Sequence, residues 1–424
     1  MVNPKELLGE VESSRDEVTE LCSELVKIPT PNPPGDTGRC VSFIEDYFKK
    51  QGVPTQTFQR AEGKASIVAR IHGRSPHRIL WLGHIDVVPE GNLEYWKHEP
   101  YGGEVENDHV YGRGSSDMKG SCGAAMVAAK ILHRAGKIPH NVEFWFTCDE
   151  EIGGGDGAQW LAKDGLIKGD VCIIGDSSGS TPSKPYVDVG CKGILWTRVH
   201  VGGKTAHGSQ PYLGENAVDK VLTLAPHIKK MGNYRLDTPV DLKPALRSSI
   251  RFLLSKESLT EEQKRATKRV FDYPTIALNV ISGGVKINVV PDAAEAHFDI
   301  RLTPGVDLEK VKSHLQQLID SSGVREVKTE FIQVSGGYYE SPKSAFSRQL
   351  GKTIQKVTGA KPVYKVLTGG TDAVSLKKYQ GIPCLGFGAG VEGQAHAPEE
   401  HVPIDDLVMA SKVYTAFPFN YKAV

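Results

Sequence analysis

Three stretches of this 424-residue chain place imidazole or carboxylate groups directly behind runs of apolar residues. His84 closes the run 78–82 after a single glycine, and Asp86 follows two residues on. Asp149, Glu150 and Glu151 stand behind 141–147, and Asp176 stands behind 171–174. Asp117 lies in a glycine-flanked loop, and His396 comes late in the chain. Imidazole is a common ligand for zinc-like ions, and a neighbouring carboxylate can fix its tautomer and orientation. Two divalent ions need about three protein ligands each, and a bridging carboxylate holds them together at roughly 3.5–4 Å. Water held by such a pair loses a proton near neutral pH, and a spare carboxylate can carry that proton to a leaving nitrogen. His84, Asp117, Asp176, His396 and the 149–151 acids fill this inventory, with Asp86 as the orienting group. Spacing alone leaves open which of Asp149, Glu150 and Glu151 binds a metal and which is the base.

These residues need a sheet to bring them together. The pattern predicts a helix over 15–28 and, after a Pro/Gly-rich loop at 29–35, a second to about 50, then strands over 65–71, 78–82, 104–111, 141–147 and 171–174. Helices are expected over 121–135 and 158–163. Alternation of this kind indicates a mixed or parallel α/β sheet covered on both faces. Its ligand-bearing strand ends would then lie on one rim. After 190 the character shifts to period-two strands (194–201, 276–281, 293–301) with helices over 216–231 and 307–321, an α+β unit of ferredoxin-like flavour. Residues 234–273 read as a polar, proline-punctuated surface insertion in that unit. The α/β style returns after 341, with a helix over 345–358 and strands over 362–366 and 383–387. The expected organisation is a catalytic domain formed by 1–190 and 339–424, with an inserted domain at 191–338.

Composition narrows the function classes. Apolar residues at 39% and charged residues at 24% are ordinary for a globular protein. Fifty-one basic and 51 acidic side chains cancel, which leaves no field to favour nucleic acid or an anionic membrane. No stretch reaches the roughly 20 apolar residues of a membrane span, and the polar N-terminus lacks a signal-peptide core. The seven cysteines form no CxxC pair, which fits a reducing cytoplasm. The 112–114 and 153–155 glycines match neither GxGxxG nor a P-loop, so nucleotide binding is not expected.

The segments GHIDVVP (83–89), YGRGSSDMKG (111–120), TCDEEIGG (147–154), AHGSQP (206–211), INVVPDAAEAHFDIR (287–301), GGTDA (369–373) and AHAPEEHVP (395–403) together resemble the M20 metallopeptidases. That family includes acetylornithine deacetylase, succinyl-diaminopimelate desuccinylase and carnosinase-type dipeptidases. The resemblance implies a mixed-sheet di-metal catalytic domain with an inserted α+β lid that dimerises. It implies that His84, Asp117 and Asp176 bind one ion, that Asp117, Glu151 and His396 bind the other, and that Glu150 is the general base. Zinc is the expected metal, with cobalt or manganese as alternatives. The resemblance further implies that His207 is lent to the partner subunit's site to steady an oxyanion. Arg301, Asn288, Gly370 and Thr371 match substrate-binding positions, a guanidinium fork being suited to a carboxylate. The expected activity is deacylation of an N-acyl-L-amino acid. Asp176 stands where the biosynthetic deacylases often carry glutamate, which points towards the alternative of a carnosinase-like metallodipeptidase or carboxypeptidase.

Overall fold

The computed structural model describes residues 4–176, 179–255 and 259–423. The chain forms two compact units, one of residues 1–190, 340–365 and 371–424, the other of 191–339 and 366–370. The first is built on a mixed sheet. Its strands run in the order Thr55–Gln59, Ala65–Ile71, Ile138–Thr147, Gly73–His84, Val171–Ile174, Cys384–Gly386 and Tyr186–Cys191. Gly73–His84 lies parallel to both Ile138–Thr147 and Val171–Ile174, with His84 opposite Thr147 and Leu82 opposite Ile174. Three strands therefore end level with one another, as the apolar runs predicted. Their interiors read as continuous apolar stretches because helices cover both faces.

The covering helices show why they pack. Gly38–Lys50 buries Cys40, Val41, Ile44 and Phe48, a single stripe at helical spacing. Ala345–Thr358 starts at Ser344, whose hydroxyl accepts the Ser347 N–H, and stops at Gly359, where φ is +77°. Gly120–Ala135 and Ile404–Asn420 are buried along most of their lengths, so no amphipathic stripe marks them. Trp81 anchors the centre against Phe144, Phe146 and Tyr414.

One expected strand is corrected. Residues 104–111 do not form one extended segment but a hairpin of Val105–Glu106 and His109–Tyr111. Asn107 and Asp108 both take positive φ, +48° and +59°, as a two-residue mirror-image turn requires. The hairpin pairs with His401–Pro403 to make a small separate sheet.

The second unit is an antiparallel sheet in the order Thr275–Gly283, Ala293–Leu302, Gly193–Gly202, Val327–Ser335. Helices Ala217–Lys229 and Leu308–Asp320 are capped by Asn216 and Asp307. They bury Val221, Leu224, Val311 and Leu315 against Leu195, Val199, Phe298 and Ile300. The 234–273 segment contains two helices, Lys243–Leu254 and Glu261–Thr267. Ser249 Oγ accepts the Val366 N–H at 2.7 Å, which ties residues 366–370 to this unit. No helix among the described residues is long and apolar enough to cross a membrane.

Candidate metal centre

Strand ends deliver the first group of side chains. The Ile85 N–H bonds Thr147 O at 2.8 Å and the Gly175 N–H bonds Leu82 O at 2.8 Å, so pairing continues to the rim itself. His84 is buried, with Nδ1 2.9 Å from the backbone oxygen of Asp86. That contact sets Nδ1 as the donor and turns Nε2 towards Asp117 Oδ1, 3.1 Å away. Met118 lies beneath, its sulfur accepting the His84 N–H at 3.3 Å. The space is available because Gly83 has no side chain; a Cβ there would stand 2.3 Å from the Met118 methyl carbon.

Asp86 orients the site differently from the expectation. Its carboxylate is 3.8 Å from His84 Nδ1, beyond hydrogen-bonding distance. It accepts instead the backbone N–H of Glu150 at 3.1 Å, that of Glu151 at 3.2 Å, and Asn32 Nδ2 at 2.8 Å. Asp86 is therefore the seat of the two glutamates, while its main-chain carbonyl fixes the histidine.

The consecutive acids Asp149 and Glu151 have different partners. Asp149 takes φ +72° and turns its carboxylate inward, to Lys64 Nζ at 2.7 Å, Asn32 Nδ2 at 3.3 Å and the Asp156 N–H at 3.0 Å. Those contacts leave Asp149 in a structural role. Glu151 Oε2 meets His396 Nε2 at 3.1 Å, while Glu151 Oε1 is buried without a hydrogen-bond partner among the described residues. Asp117 Oδ2 lies 3.5 Å from the same His396 nitrogen. His84, Asp117 and Glu151 each offer a ligand atom within 4.8 Å of the others. His396 is 57% exposed, so the cluster opens to solvent on that side.

The electrostatics reflect carboxylates gathered in a shielded place. Burial, then the charges of Asp372, Asp176 and Glu151, push Glu150 well above the ordinary carboxylate range, with His84 opposing. Burial and the Asp117 charge push Asp176 up to about 7. Burial alone would lower His84, but the Asp117 hydrogen bond and the charges of Glu150, Asp117 and Glu151 raise it well above its usual value. The Glu151 hydrogen bond raises His396 despite its partial burial.

The remaining sequence-derived residues are placed as follows. Thr371 belongs to the first unit and is buried, its Oγ1 without a partner among the described residues. Gly370, His207, Asn288 and Arg301 belong to the second unit. His207 is exposed, with Nδ1 2.7 Å from Ser209 Oγ, and the Gly208 N–H bonds Asn288 O at 2.8 Å. Arg301 donates from Nε and Nη2 to both oxygens of Asp299, at 2.8 and 3.1 Å. Sequence reasoning missed Asn32 and Lys64, which lie in loops more than fifty and eighty residues from the acids they contact.

The model of peptidase family M20/M25/M40 matches residues 80–420. This chain belongs to that family. The succinyl-diaminopimelate desuccinylase of Ehrlichia ruminantium is 26% identical, over 95% of this chain and 97% of its own. Among solved structures, an M20 metallo-carboxypeptidase from Sulfolobus solfataricus superposes with a TM-score of 0.76 at 24% identity, covering 95% of this chain and 98% of that one. A dinuclear metal-binding M20 peptidase of Bacillus subtilis superposes with a TM-score of 0.68 at 14% identity, covering 96% and 98%. The chain is thus an M20 metallohydrolase that acts on amide or peptide bonds.

Proposed function

We propose that this member is a dinuclear amidohydrolase that removes the acyl group from an N-acyl-L-amino acid. The carrying observation is Asp117, whose two oxygens face different histidines, His84 at 3.1 Å and His396 at 3.5 Å. Ligand atoms about 2.0–2.1 Å from one tetrahedral ion stand roughly 3.3 Å apart, so these separations suit shared cations. The unpartnered, buried Glu151 Oε1 is a second sign of fit. His84, Asp117 and Asp176 would hold one ion, and Asp117, Glu151 and His396 the other. Mixed nitrogen and oxygen donors suit zinc, with cobalt and manganese also compatible. Bound there, divalent ions supply Lewis-acid polarisation of the amide carbonyl and acidify water.

The chain's own groups perform the proton work. Glu150 Oε takes a proton from the attacking water and hands it to the departing amine nitrogen as the C–N bond breaks. Burial and the neighbouring carboxylates raise Glu150 above the ordinary carboxylate range, which makes its carboxylate a stronger base for that transfer. Asp86 keeps Glu150 and Glu151 side by side through their backbone N–H groups. Thr371, Gly370, Asn288 and Arg301 would orient the substrate. Arg301 already serves Asp299, so a substrate carboxylate must displace that partner or use the remaining N–H groups.

The second unit supports a homodimer. Thr275–Gly283 lies at the edge of its sheet with Val280 and Ile281 exposed, and Leu222 is exposed on helix Ala217–Lys229. A two-fold axis beside such an edge would pair it with itself. His207, exposed in the same unit, would then serve the partner's oxyanion. The seven cysteines are all buried, as small apolar side chains are, consistent with a reducing cytoplasm.

Cleavage of a dipeptide or a C-terminal residue is the second reading, favoured by aspartate rather than glutamate at 176. Assays of N-acetylornithine, N-succinyl-diaminopimelate and a dipeptide panel on the metal-loaded protein separate the two. Glu150→Ala should lower kcat by about 10²–10⁴-fold with metal content retained. Wild-type turnover in that variant refutes the proton assignment. A mixed dimer of Glu150→Ala and His207→Ala chains should recover partial activity, and no recovery refutes sharing between subunits.

A further inference from the structure

We propose that Arg113 and Glu400 form one positioning unit that holds the two loop-borne ligands, Asp117 and His396, in register for a shared cation. The inference rests on the dinuclear reading above. The two side chains are 287 residues apart in sequence, almost wholly buried, and 2.6 Å from each other. Each reaches into a different ligand loop. Glu400 Oε1 accepts the backbone N–H groups of Ser116 and Asp117, both at 2.9 Å. Its Oε2 accepts the Gly114 N–H at 3.0 Å as well as Arg113 Nη1. From the opposite side Arg113 Nη1 donates to Ala397 O at 3.1 Å and Nη2 to His396 O at 3.4 Å.

The arrangement is reciprocal. The acid from the late loop fixes the backbone of the early ligand, and the base from the early loop fixes the backbone of the late one. Neither Asp117 nor His396 lies on a strand, and His396 and Glu399 both adopt positive φ, +65° and +57°, a region that non-glycine residues enter uncommonly. Trp96 completes the seat, its ring centre 5.2 Å from the guanidinium carbon. The planar fork of arginine spans two carbonyls and a carboxylate at once, which lysine cannot do.

The test is a cobalt titration of full-length apo protein, followed by visible absorption in the presence of a competing chelator. Wild type is expected to take up two equivalents. In Glu400→Gln and in Arg113→Lys at least one equivalent should bind tenfold or more weakly, with altered ligand-field bands and unchanged circular dichroism. Glutamine turns an N–H towards Arg113 and Gly114, so if that variant fails to fold, Arg113→Lys decides alone. Cobalt affinity and spectrum equal to wild type, even with a lowered melting temperature, would make the pair merely structural and overturn the proposal. Wild type that takes up no cobalt would instead refute the dinuclear reading itself, so the two failures are distinguishable.

Discussion

His84 ends a paired parallel strand, and Glu150, Glu151 and Asp176 follow within a few residues of two others, whereas Asp117 lies off the sheet in the short turn Ser115–Lys119 and His396 in a loop. In the first group the backbone hydrogen-bond ladder does the placing, and it runs up to the rim: Ile85 bonds Thr147 and Gly175 bonds Leu82. A single carboxylate, Asp86, then aligns the two glutamates. In the second group no ladder reaches the ligands, and buried polar side chains contact their backbones instead. The comparison teaches where the centre is vulnerable. Side chains at strand ends share the stability of the whole sheet, while Asp117 and His396 are held by a few charged contacts whose loss leaves uncompensated buried groups.

Asp117 faces both His84 and His396, so removing it should have the largest effect. Asp117→Ala is expected to bring metal content close to zero, whereas Asp176→Ala, at a strand end, should forfeit about one ion and keep the other. Elemental analysis of dialysed protein measures both. Equal losses in the two variants would break the distinction between a bridging loop ligand and a terminal strand ligand.

The strand-borne group was legible in the sequence because an abrupt change from apolar run to acid or histidine marks the end of a buried strand. That Asp149 turns away from Glu150 and Glu151 was not legible from spacing, since it depends on Lys64 and Asn32 arriving from distant loops. The seat provided by Asp86 was misread for a related reason: its position two residues after a histidine is local, but its acceptors' partners lie 64 and 65 residues away. Helix Ile404–Asn420 left no periodic trace because it is buried nearly all round. The hairpin at 105–111 could have been found from Asn107-Asp108, a pair of residue types that tolerate positive φ.

Lys64 sharpens the comparison from the strand side. Its ammonium is mostly buried against Asp149 and also donates to Asn32 Oδ1 at 3.2 Å, the same asparagine that donates to Asp86. Lys64→Met leaves Asp149 buried with its charge uncompensated, which costs about 3 kcal/mol where a buried pair is broken. Through Asn32 and Asp86 the change reaches the backbone of Glu150 and Glu151, and metal affinity should fall by roughly 10–100-fold. Denaturant melts and chelator competition check the two parts. Lost stability with unchanged affinity would show that the sheet rim holds its ligands without this network.

The smallest effect is expected at Asp406, a buried acid six residues beyond Glu400 that touches neither ligand loop's backbone in the described hydrogen bonds. Burial, and then the charge of Asp405, raise it from 3.8 to about 7. A carboxyl raised on folding binds its proton more tightly in the folded protein, so folding is penalised progressively as pH rises from about 4 to 7, and the penalty is constant above that window. The position in the first turn of Ile404–Asn420 offsets part of it, because the helix N-terminus favours negative charge. Asp406→Asn should therefore raise stability by on the order of 1–3 kcal/mol at pH 8 and by nothing at pH 4, read from melts at both values. Metal uptake should be unchanged, since being buried near the late loop is not the same as holding it. A loss of metal in this variant would mean that general packing, rather than a few directed contacts, keeps His396 in place.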